Sequence, residues 1–344
     1  MKKVVVAMSG GVDSSVTAAI LKEKGYDVLG VSMQLFTQEG HFNDARLSAE
    51  ILGIPHRLID LRERFQIEVI DHFTTQYING RTPNPCVRCN QHIKFGFLLR
   101  EAMRIGADFI ATGHYARIVS SHEHGRYLLK KGLDERKDQS YFLYTLTQEQ
   151  LKRTLMPLGN RRKPEVREIA QNLGLPVAQR PESQEICFIP ANNYRTFFLQ
   201  RGIISPPGTI VNRNGKELGQ HRGIFHYTIG QRRGLGIPGT EPYYVTQIQY
   251  EKNRVVVGNR WEAFFNELVA HEVNWIIKPP EKPMEIFAKI RSAHTAAPAR
   301  LIPLSGESVR VIFSSPQWAI TPGQAVVFYQ GDITLGGGTI EQAA

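Results

Sequence analysis

The sequence predicts an α/β protein with a parallel, helix-covered sheet in its amino-terminal half and a β-rich carboxyl-terminal half. Over residues 2–111, apolar strand patterns alternate with helical patterns, which is typical of parallel sheets that bind ligands at the carboxyl ends of their strands. Pro206-Pro207-Gly208 interrupts this pattern, and the short, evenly spaced strand patterns beyond it favour a small barrel or sandwich. A chain of 344 residues exceeds one ordinary core, so we expect two or three domains.

Hydrophobic periodicity locates the elements in order. In the amino-terminal half it predicts strands at Lys2–Met8, Val28–Met33, His56–Asp60 and Phe109–Ala111. Between them it predicts helices at Ser14–Lys24, Asn43–Leu52, Phe65–Tyr77 and Asn90–Arg104. In the carboxyl-terminal half it predicts strands at Gly208–Asn212, Tyr243–Gln249, Met284–Arg291, Ser308–Phe313 and Ala325–Tyr329. Met33 and Thr112-Gly113-His114 follow two of the parallel strands, so we place them at the ligand-binding edge of the sheet.

Composition and charge restrict the class of protein. Hydrophobic residues make up 42% and charged residues 22% of the chain, as in soluble globular proteins. A net charge of +10 predicts a polyanionic partner, either a nucleic acid or an anionic membrane. The apolar stretch Val4–Met8 is too short for a signal peptide, and the sequence contains no membrane-spanning run. We therefore expect a cytoplasmic protein.

The first strand leads into Ser9-Gly10-Gly11-Val12-Asp13-Ser14-Ser15, a glycine- and hydroxyl-rich loop at a helix start. Backbone N–H groups and the helix dipole favour phosphate there. The loop lacks the lysine of the G-x-x-x-x-G-K-[ST] motif, so it suits pyrophosphate as a leaving group better than transfer of a γ-phosphoryl group. The alternative is a tight turn with a Ser or Asp cap.

Three cysteines are too few, and odd in number, for a disulfide framework. Cys86 and Cys89 fall at a predicted helix start beside Arg88, where the helix dipole and the guanidinium should lower the thiol pKa. Cys187 has apolar neighbours and could be a core cysteine. The C-x-x-C pair is compatible with redox, zinc or iron–sulfur chemistry. Zinc lacks a fourth ligand, whereas three thiolates could hold a cluster with an open iron.

Several segments together resemble one family. The loop resembles the PP-loop of ATP pyrophosphatases, and the chain as a whole is similar to the bacterial tRNA-specific 2-thiouridylases. The matching segments are Gly80–Asn90, Ile110–Tyr115, Lys137–Leu143, Ile186–Ile189, Leu235–Ile237, Thr321–Gln324 and Leu335–Gly338. The resemblance implies an adenine nucleotide α-hydrolase-like, Rossmann-like PP-loop domain over residues 1–200. It also implies a small β-rich tRNA-binding central domain over 201–265 and a β-barrel over 266–344.

The resemblance also implies a mechanism. ATP would adenylate the C2 oxygen of the wobble uridine of a tRNA and release pyrophosphate. Cys187 would carry a persulfide, supplied by an upstream sulfur-donor protein, and Cys89 would be the nucleophile that completes the transfer. The two cysteines could then form a transient disulfide. We expect the enzyme to act as a monomer.

The resemblance assigns two sets of binding residues. ATP would be bound by Ala7, Met8, Ser9, Gly10, Gly11, Val12, Asp13, Ser14, Met33 and Gly113. Asp13 and the loop hydroxyls would also hold pyrophosphate-bound Mg²⁺. The tRNA and its target base would be contacted by Asn84, Pro85, Cys86, His114, Lys137, Asp138, Gln139, Arg291, Ser292 and Gln324.

Two departures from the family pattern leave alternatives open. Some relatives carry Asp in place of Cys86, which makes Cys86 dispensable for a persulfide route but leaves a [4Fe-4S] cluster on Cys86, Cys89 and Cys187 as a second route. Relatives often carry Tyr in place of Ser292, so a stacking contact is missing there. Another PP-loop adenylating ligase, or an RNA-binding protein with a vestigial loop, would share the loop without needing the thiols.

A basic stretch lies between Arg213 and Arg233, with Glu217 as its one acidic residue. Its cations are Arg213, Lys216, Arg222, Arg232 and Arg233, and His221, His226 and Tyr227 lie among them. The stretch predicts either an RNA surface or a solvated basic loop. Gly234–Gly239 matches G-x-G-x-x-G but follows no strand, so we reject it as a dinucleotide site. His122 and His124 are predicted at a hairpin tip.

Overall fold

The computed structural model describes residues 1–36, 40–180, 186–189, 193–239 and 241–343, and all structural statements refer to these. Seven strands belong to the amino-terminal half: β1 (Lys3–Ala7), β2 (Asp27–Gln34), β3 (His56–Asp60), β4 (Phe109–Ala111), β5 (Ala116–Ser121), β6 (Arg126–Lys131) and β7 (Thr154–Leu155). Five of them form a parallel sheet in the order β3-β2-β1-β4-β7. The predicted α/β fold with a parallel sheet is confirmed.

The helices that cover this sheet are α1 (Val12–Glu23), α2 (Gly40–Ile51), α3 (Arg62–Phe65), α4 (His72–Ile78), α5 (Pro85–Arg88), α6 (Leu99–Arg104), α7 (Gln148–Lys152), α8 (Lys163–Asn172) and α9 (Tyr194–Gln200). The π-helical segment Gln66–Asp71 joins α3 to α4, and Cys89–Leu98 joins α5 to α6. Val4, Val5 and Val6 of β1 are fully buried, because β1 is central and helices pack on both faces of the sheet.

The sequence offers two caps for the helix that ends at Arg104, Asn84 and Asn90, and the structure uses Asn84. The helix expected from Asn90 begins at Pro85, since the Asn84 side chain accepts hydrogen bonds from the backbone N–H groups of Cys86 and Val87. Proline is favourable directly after such a cap. Asn90 is instead buried inside the helix, where its side-chain amide donates to the Phe142 carbonyl at 3.0 Å. Met33 is the second-last residue of β2 rather than a residue beyond the end of that strand.

The middle of the chain forms a second, smaller sheet. Its strands are β8 (Gly208–Asn212), β9 (Glu217–His221), β10 (Tyr244–Gln249) and β11 (Arg254–Gly258), in the order β10-β11-β8-β9. A separate apolar cluster that includes Ile210, Val245 and Val255 packs beneath it.

The carboxyl-terminal strands close into a barrel, which decides between the predicted barrel and sandwich. They are β12 (Phe264–Trp275), β13 (Met284–Lys289), β14 (Ala297–Pro303), β15 (Val309–Trp318), β16 (Ala325–Gln330) and β17 (Ile333–Ala343). Their order is β12-β15-β14-β13-β16-β17, and β12 also pairs with β17. Closure leaves no free edge in this ring of six strands.

The barrel is joined to the amino-terminal half by a contact that the sequence did not predict. β5 and β6 form a hairpin whose second strand pairs with β17, with Lys130 opposite Ile333. Arg117 and Lys130 lie 2.8 and 3.4 Å from the Asp332 carboxylate. His122 and His124 occupy the tip of this hairpin, as predicted. No helix in the described ranges has the length and apolar composition needed to cross a membrane.

Candidate active site

The glycine-rich loop lies where the sheet changes direction. β1 has β2 on one side and β4 on the other, and such switch points are where open α/β sheets bind ligands. Gly10 has a φ of +75°, which favours glycine. The Ser14 hydroxyl donates to the Gly11 carbonyl at 3.0 Å and accepts from the Ser9 backbone N–H at 3.2 Å. The loop is therefore folded by its own hydroxyls against the positive end of α1.

Asp13 in the first turn of α1 is held by two residues that sequence reasoning missed. The Lys163 ammonium lies 2.7 and 2.8 Å from its two carboxylate oxygens. The Tyr115 hydroxyl donates to the same carboxylate at 2.7 Å. The Lys163 side chain is 8% exposed. The cation that the loop sequence lacks is thus supplied by the first residue of α8.

The turn after β4 packs directly on this loop. A Cβ on Gly113 would lie 2.9 Å from the Asp13 backbone and side chain, so glycine allows the two segments to approach. The Thr112 hydroxyl and His114 Nδ1 are 2.7 Å apart. Burial and the Lys94 charge lower the pKa of His114 well below its usual value. His114 is therefore a neutral imidazole at neutral pH.

A second cation, Arg180, reaches the loop from the segment that follows α8. Arg180 donates to the Gly10 carbonyl at 3.1 Å and forms an ion pair with Asp44. Like Lys163, it carries no sequence motif. The loop therefore has an arginine and a lysine within direct contact, as a site for a polyanionic ligand requires.

The residues present do not preform a magnesium site. Both carboxylate oxygens of Asp13 contact Lys163, so this carboxylate is not presented to a metal. Among the residues that the structure describes, no group of three or more His, Cys, Asp or Glu side chains is arranged to hold a metal ion. The expectation that Asp13 is a Mg²⁺ ligand finds no support in this arrangement.

The expected low pKa of Cys89 is wrong. Cys89 is buried in an apolar cluster with Phe65, Ile93 and Phe188. Burial raises its pKa to about 11, against the weaker opposing effect of the Lys94 charge. Desolvation of the thiolate outweighs the helix dipole because Cys89 is the fifth residue of the helix that begins at Pro85, at the edge of the first turn where the dipole acts.

Cys187 is brought to Cys89 by its neighbours. Cys187 is exposed, whereas Phe188 and Ile189 are buried in the same apolar cluster as Cys89. The Phe188 ring lies 5.6 Å from Phe65 and 5.5 Å from Phe73. Although the residue as a whole is exposed, desolvation of its sulfur, followed by the effects of Cys89 and Cys86, raises the pKa of Cys187 to about 12. Because Phe188 and Ile189 pack in the cluster that contains Cys89, the chain places Cys187 beside that cluster.

Cys86 lies in α5 and is exposed as a residue, but desolvation of its sulfur raises the thiol pKa against the weaker, opposing effect of the Lys94 charge. All three cysteines carry free thiols. As placed, they are not arranged as ligands of one metal group within the described residues. We therefore derive no step through an iron–sulfur cluster.

The carboxyl-terminal barrel is hydrogen-bonded to the segment that leads into α5. The Thr82 backbone N–H donates to the Pro322 carbonyl at 2.9 Å, and the Gln324 amide donates to the Thr82 carbonyl at 2.7 Å. Arg291 donates to the Thr321 hydroxyl at 2.6 Å and to the Ile229 carbonyl of the middle domain at 3.3 Å. Gln324 and Arg291, expected at tRNA, thus make bonds within the protein. Ser292 is exposed.

The Lys137–Gln139 segment is likewise used in folding. The Asp138 carboxylate accepts hydrogen bonds from the Gly132 and Ser140 backbone N–H groups, both at 3.0 Å. The Gln139 side chain accepts from the Tyr115 N–H at 3.0 Å and so positions the ring that contacts Asp13. Lys137 is half-buried.

The basic stretch presents its cations but not its rings. Its five Lys and Arg residues, named above, are all exposed. His221 and Tyr227 are 1% and 6% exposed, and His221 contacts the Asn253 carbonyl at 3.0 Å. These two rings therefore belong to the small core of the middle domain, and His226, which is half-buried, packs on Phe225.

Comparisons with known proteins match the chain over almost its whole length. Residues 2–191 match a family model described as a tRNA methyl transferase HUP domain, 196–259 a tRNA methyl transferase PRC-barrel domain, and 265–340 an aminomethyltransferase β-barrel domain. A tRNA-specific 2-thiouridylase MnmA of Carboxydothermus hydrogenoformans is 50% identical, covering 99% of this chain and 98% of that protein. Its namesake in Geotalea uraniireducens is 51% identical, covering 99% and 96%.

Proposed function

The chain belongs to the tRNA-specific 2-thiouridylase family, and we propose that it is an ATP-dependent tRNA sulfurtransferase that uses Cys187 and Cys89. The observation that carries this proposal is the placement of the two thiols. Phe188, the neighbour of Cys187 in the chain, packs in the apolar cluster that contains Cys89. The Lys94 charge acts on both thiols and on His114, which follows the turn against the loop. These shared neighbours support a single site that includes the two thiols and the glycine-rich loop.

The first half-reaction would be adenylation. The C2 oxygen of the wobble uridine attacks the α-phosphate of ATP, and pyrophosphate leaves from the loop. Lys163 and Arg180 would neutralise the charge that develops on the pyrophosphate, in a site where the ammonium is nearly fully buried. Mg²⁺ would arrive with the phosphates of ATP rather than on a protein carboxylate. The uridine must leave its stack to expose C2.

The second half-reaction would transfer sulfur. The terminal sulfur of a Cys187 persulfide attacks C2, and AMP departs with the former C2 oxygen. The thiolate of Cys89 then attacks the Cys187 sulfur, which breaks the sulfur–sulfur bond and leaves 2-thiouridine. The thiolated tRNA is released, and the protein is left with a Cys89–Cys187 disulfide. An external thiol reduces this disulfide before the next turnover.

The partners follow from this scheme. They are a tRNA with a wobble uridine, ATP, and a protein that delivers persulfide sulfur to Cys187. The exposed cations of the basic stretch, Arg213–Arg233, would contribute salt-dependent tRNA affinity. We infer that the enzyme works as a monomer in the cytoplasm, with the division at residues 1–200, 201–265 and 266–344 as its working domains.

The test is substitution of each thiol, with Cys86 as the matched control. Cys89→Ser and Cys187→Ser should each abolish formation of 2-thiouridine while the tRNA dissociation constant stays near wild type. Cys86→Ser should keep most of the activity. Nucleoside analysis of the tRNA by mass spectrometry measures the product and separates thiolation from the methylation that the family model's description suggests. Sulfur transfer by the Cys89 or Cys187 variant would contradict the two-thiol mechanism.

The same variants separate the persulfide route from a cluster route. Protein purified without oxygen is analysed for iron and sulfide beside the thiolation assay. An active enzyme without iron, with Cys86→Ser still active, is the expected result. A stoichiometric cluster required for activity and lost in Cys86→Ser would replace the persulfide proposal.

A further inference from the structure

Trp261 is a tryptophan held rigidly at the surface. It is 77% exposed and belongs to the short 3₁₀ turn Arg260–Ala263 between β11 and β12. The Asn259 side chain accepts from the Trp261 N–H at 2.9 Å, and the Glu262 carboxylate accepts from the Asn259 N–H at 2.8 Å. This reciprocal cap fixes the turn, so the position of the ring is preorganised.

The ring is backed by other aromatic side chains. Trp261 stacks on Phe264 with a centroid distance of 5.8 Å and an interplanar angle of 28°. Phe264 packs on Trp318 at 5.2 Å, and Trp318 packs on Tyr244 at 5.4 Å. Phe264, Trp318 and Tyr244 are half-buried and join the middle sheet to the barrel. Packing at that junction explains why these three rings are aromatic, but it does not explain an exposed tryptophan at position 261. The exposed face of Trp261 is free to pack on a partner.

Positive charge lies beside this aromatic cluster. The Arg260 guanidinium lies 5.6 Å from the centre of the Trp318 ring. The end of the basic stretch reaches the same ring, since a Cβ on Gly230 would lie 3.3 Å from Trp318 Nε1. Two residues further on, Arg232 and Arg233 are exposed. The nearby Glu262 carboxylate is engaged in the cap.

We propose that Trp261 is a stacking platform for an unpaired base of the tRNA, with Arg260 and the Arg232-Arg233 pair contacting the flanking phosphates. Aromatic rings beside cations are what unpaired nucleotides bind, because every base has a face that stacks. A chain with a net charge of +10 fits a polyanion at this position. In the basic stretch, His221 and Tyr227 are buried and His226 is half-buried, so Trp261 supplies an exposed ring that this stretch lacks. The proposal rests on the proposed function, because the occupant is its substrate.

The test compares Trp261→Ala with Trp261→Phe, and uses Phe287→Ala as the control, since Phe287 is a barrel aromatic that is 47% exposed. The probe is an unmodified tRNA transcript with a wobble uridine. Trp261→Ala should weaken its binding about tenfold, with the salt dependence unchanged, because a stack is lost but no phosphate contact is. Trp261→Phe should recover most of the affinity, and Phe287→Ala should bind as wild type does. A fully paired RNA duplex should bind all four proteins equally.

Tryptophan fluorescence gives a second readout. The transcript should quench emission of the wild-type protein, and Trp261→Phe should lose that quenching. Equal tRNA affinity of Trp261→Ala and wild type would overturn the proposal. So would a variant with normal tRNA affinity but slow sulfur delivery from the donor protein, since the platform would then serve a protein. Wild-type protein that binds the transcript but never forms 2-thiouridine would refute the proposed function instead. The effect of Trp261→Ala on tRNA affinity would still test the stacking proposal in that case.

Discussion

Two physical effects act on the pKa of Cys89 in opposite directions, the helix dipole and burial, and a measured pKa shows which of them is larger. Its place at a helix start favours the thiolate, an effect of about 0.3–1 kcal/mol. Burial raises the pKa from 9.0 to about 11, a net preference for the neutral thiol of roughly 3 kcal/mol. At pH 7 the thiolate fraction is then about one in ten thousand, roughly a hundredfold below that of an ordinary thiol.

Alkylation measures this fraction directly. The double variant Cys86→Ser/Cys187→Ser leaves Cys89 as the sole cysteine of the chain. Its rate of reaction with iodoacetamide is followed by mass spectrometry from pH 7 to pH 11.5. The rate should still be rising at pH 11.5, and the curvature of the profile should give an apparent pKa near 11. The shape of the curve is used rather than the absolute rate, because burial also slows access of the reagent.

The controls address folding and assignment. Circular dichroism at each pH shows that the protein is still folded where the rate is read. The Cys89→Ser/Cys187→Ser variant, which leaves the exposed Cys86, shows how the reagent behaves with an accessible thiol. A curve for Cys89 that levels off at or below pH 8 would refute the desolvation argument. It would show that the helix start and Lys94 dominate after all.

Two further predictions concern residues placed by the fold. Lys163→Met should slow pyrophosphate release about a hundredfold, which is the usual loss when one preorganised charge donor is removed. Lys163→Arg keeps the positive charge and should retain more of the rate. Normal adenylation by the Met variant would contradict this role of Lys163. Gln324→Ala should lower thiolation several-fold by freeing Thr82, at a cost of about 1 kcal/mol for the lost hydrogen bond, with little change in tRNA affinity. Weaker tRNA binding with unchanged turnover would show instead that Gln324 contacts RNA.

The parallel sheet was predictable because local sequence decides it. Each central strand is a short apolar run, such as Val4–Val6, and each connection carries a helical period. The hairpin β5–β6 was not predictable in the same way. Its partner β17 pairs Lys130 with Ile333, and no pattern within either segment specifies so distant a neighbour. Pairing across the chain depends on the assembled fold.

The conformation of the glycine-rich loop was predictable from the sequence, and the cations beside it were not. Within Ser9–Ser15, the order of glycines and hydroxyl residues is itself the pattern that predicts a phosphate-binding loop. Lys163 and Arg180 are single basic residues among the 42 of the chain, and only the packing of α8 against α1 brings Lys163 to Asp13. The burial of Cys89 escaped the sequence for a related reason. The rings that desolvate it, Phe65 and Phe188, come from two other segments.

The high pKa of Cys89 is compatible with its role as a nucleophile because the proposed mechanism needs that nucleophile late. A Cys89 thiolate formed too early would attack the Cys187 persulfide and release its sulfur as hydrosulfide before any RNA had been activated. Nucleophilic attack needs the thiolate, and burial keeps Cys89 protonated in the resting protein. The terminal sulfur of the persulfide is then free to wait for an adenylated uridine. In the proposed mechanism, desolvation would therefore hold back attack by Cys89 on the persulfide, so that the disulfide forms after C2 has been attacked.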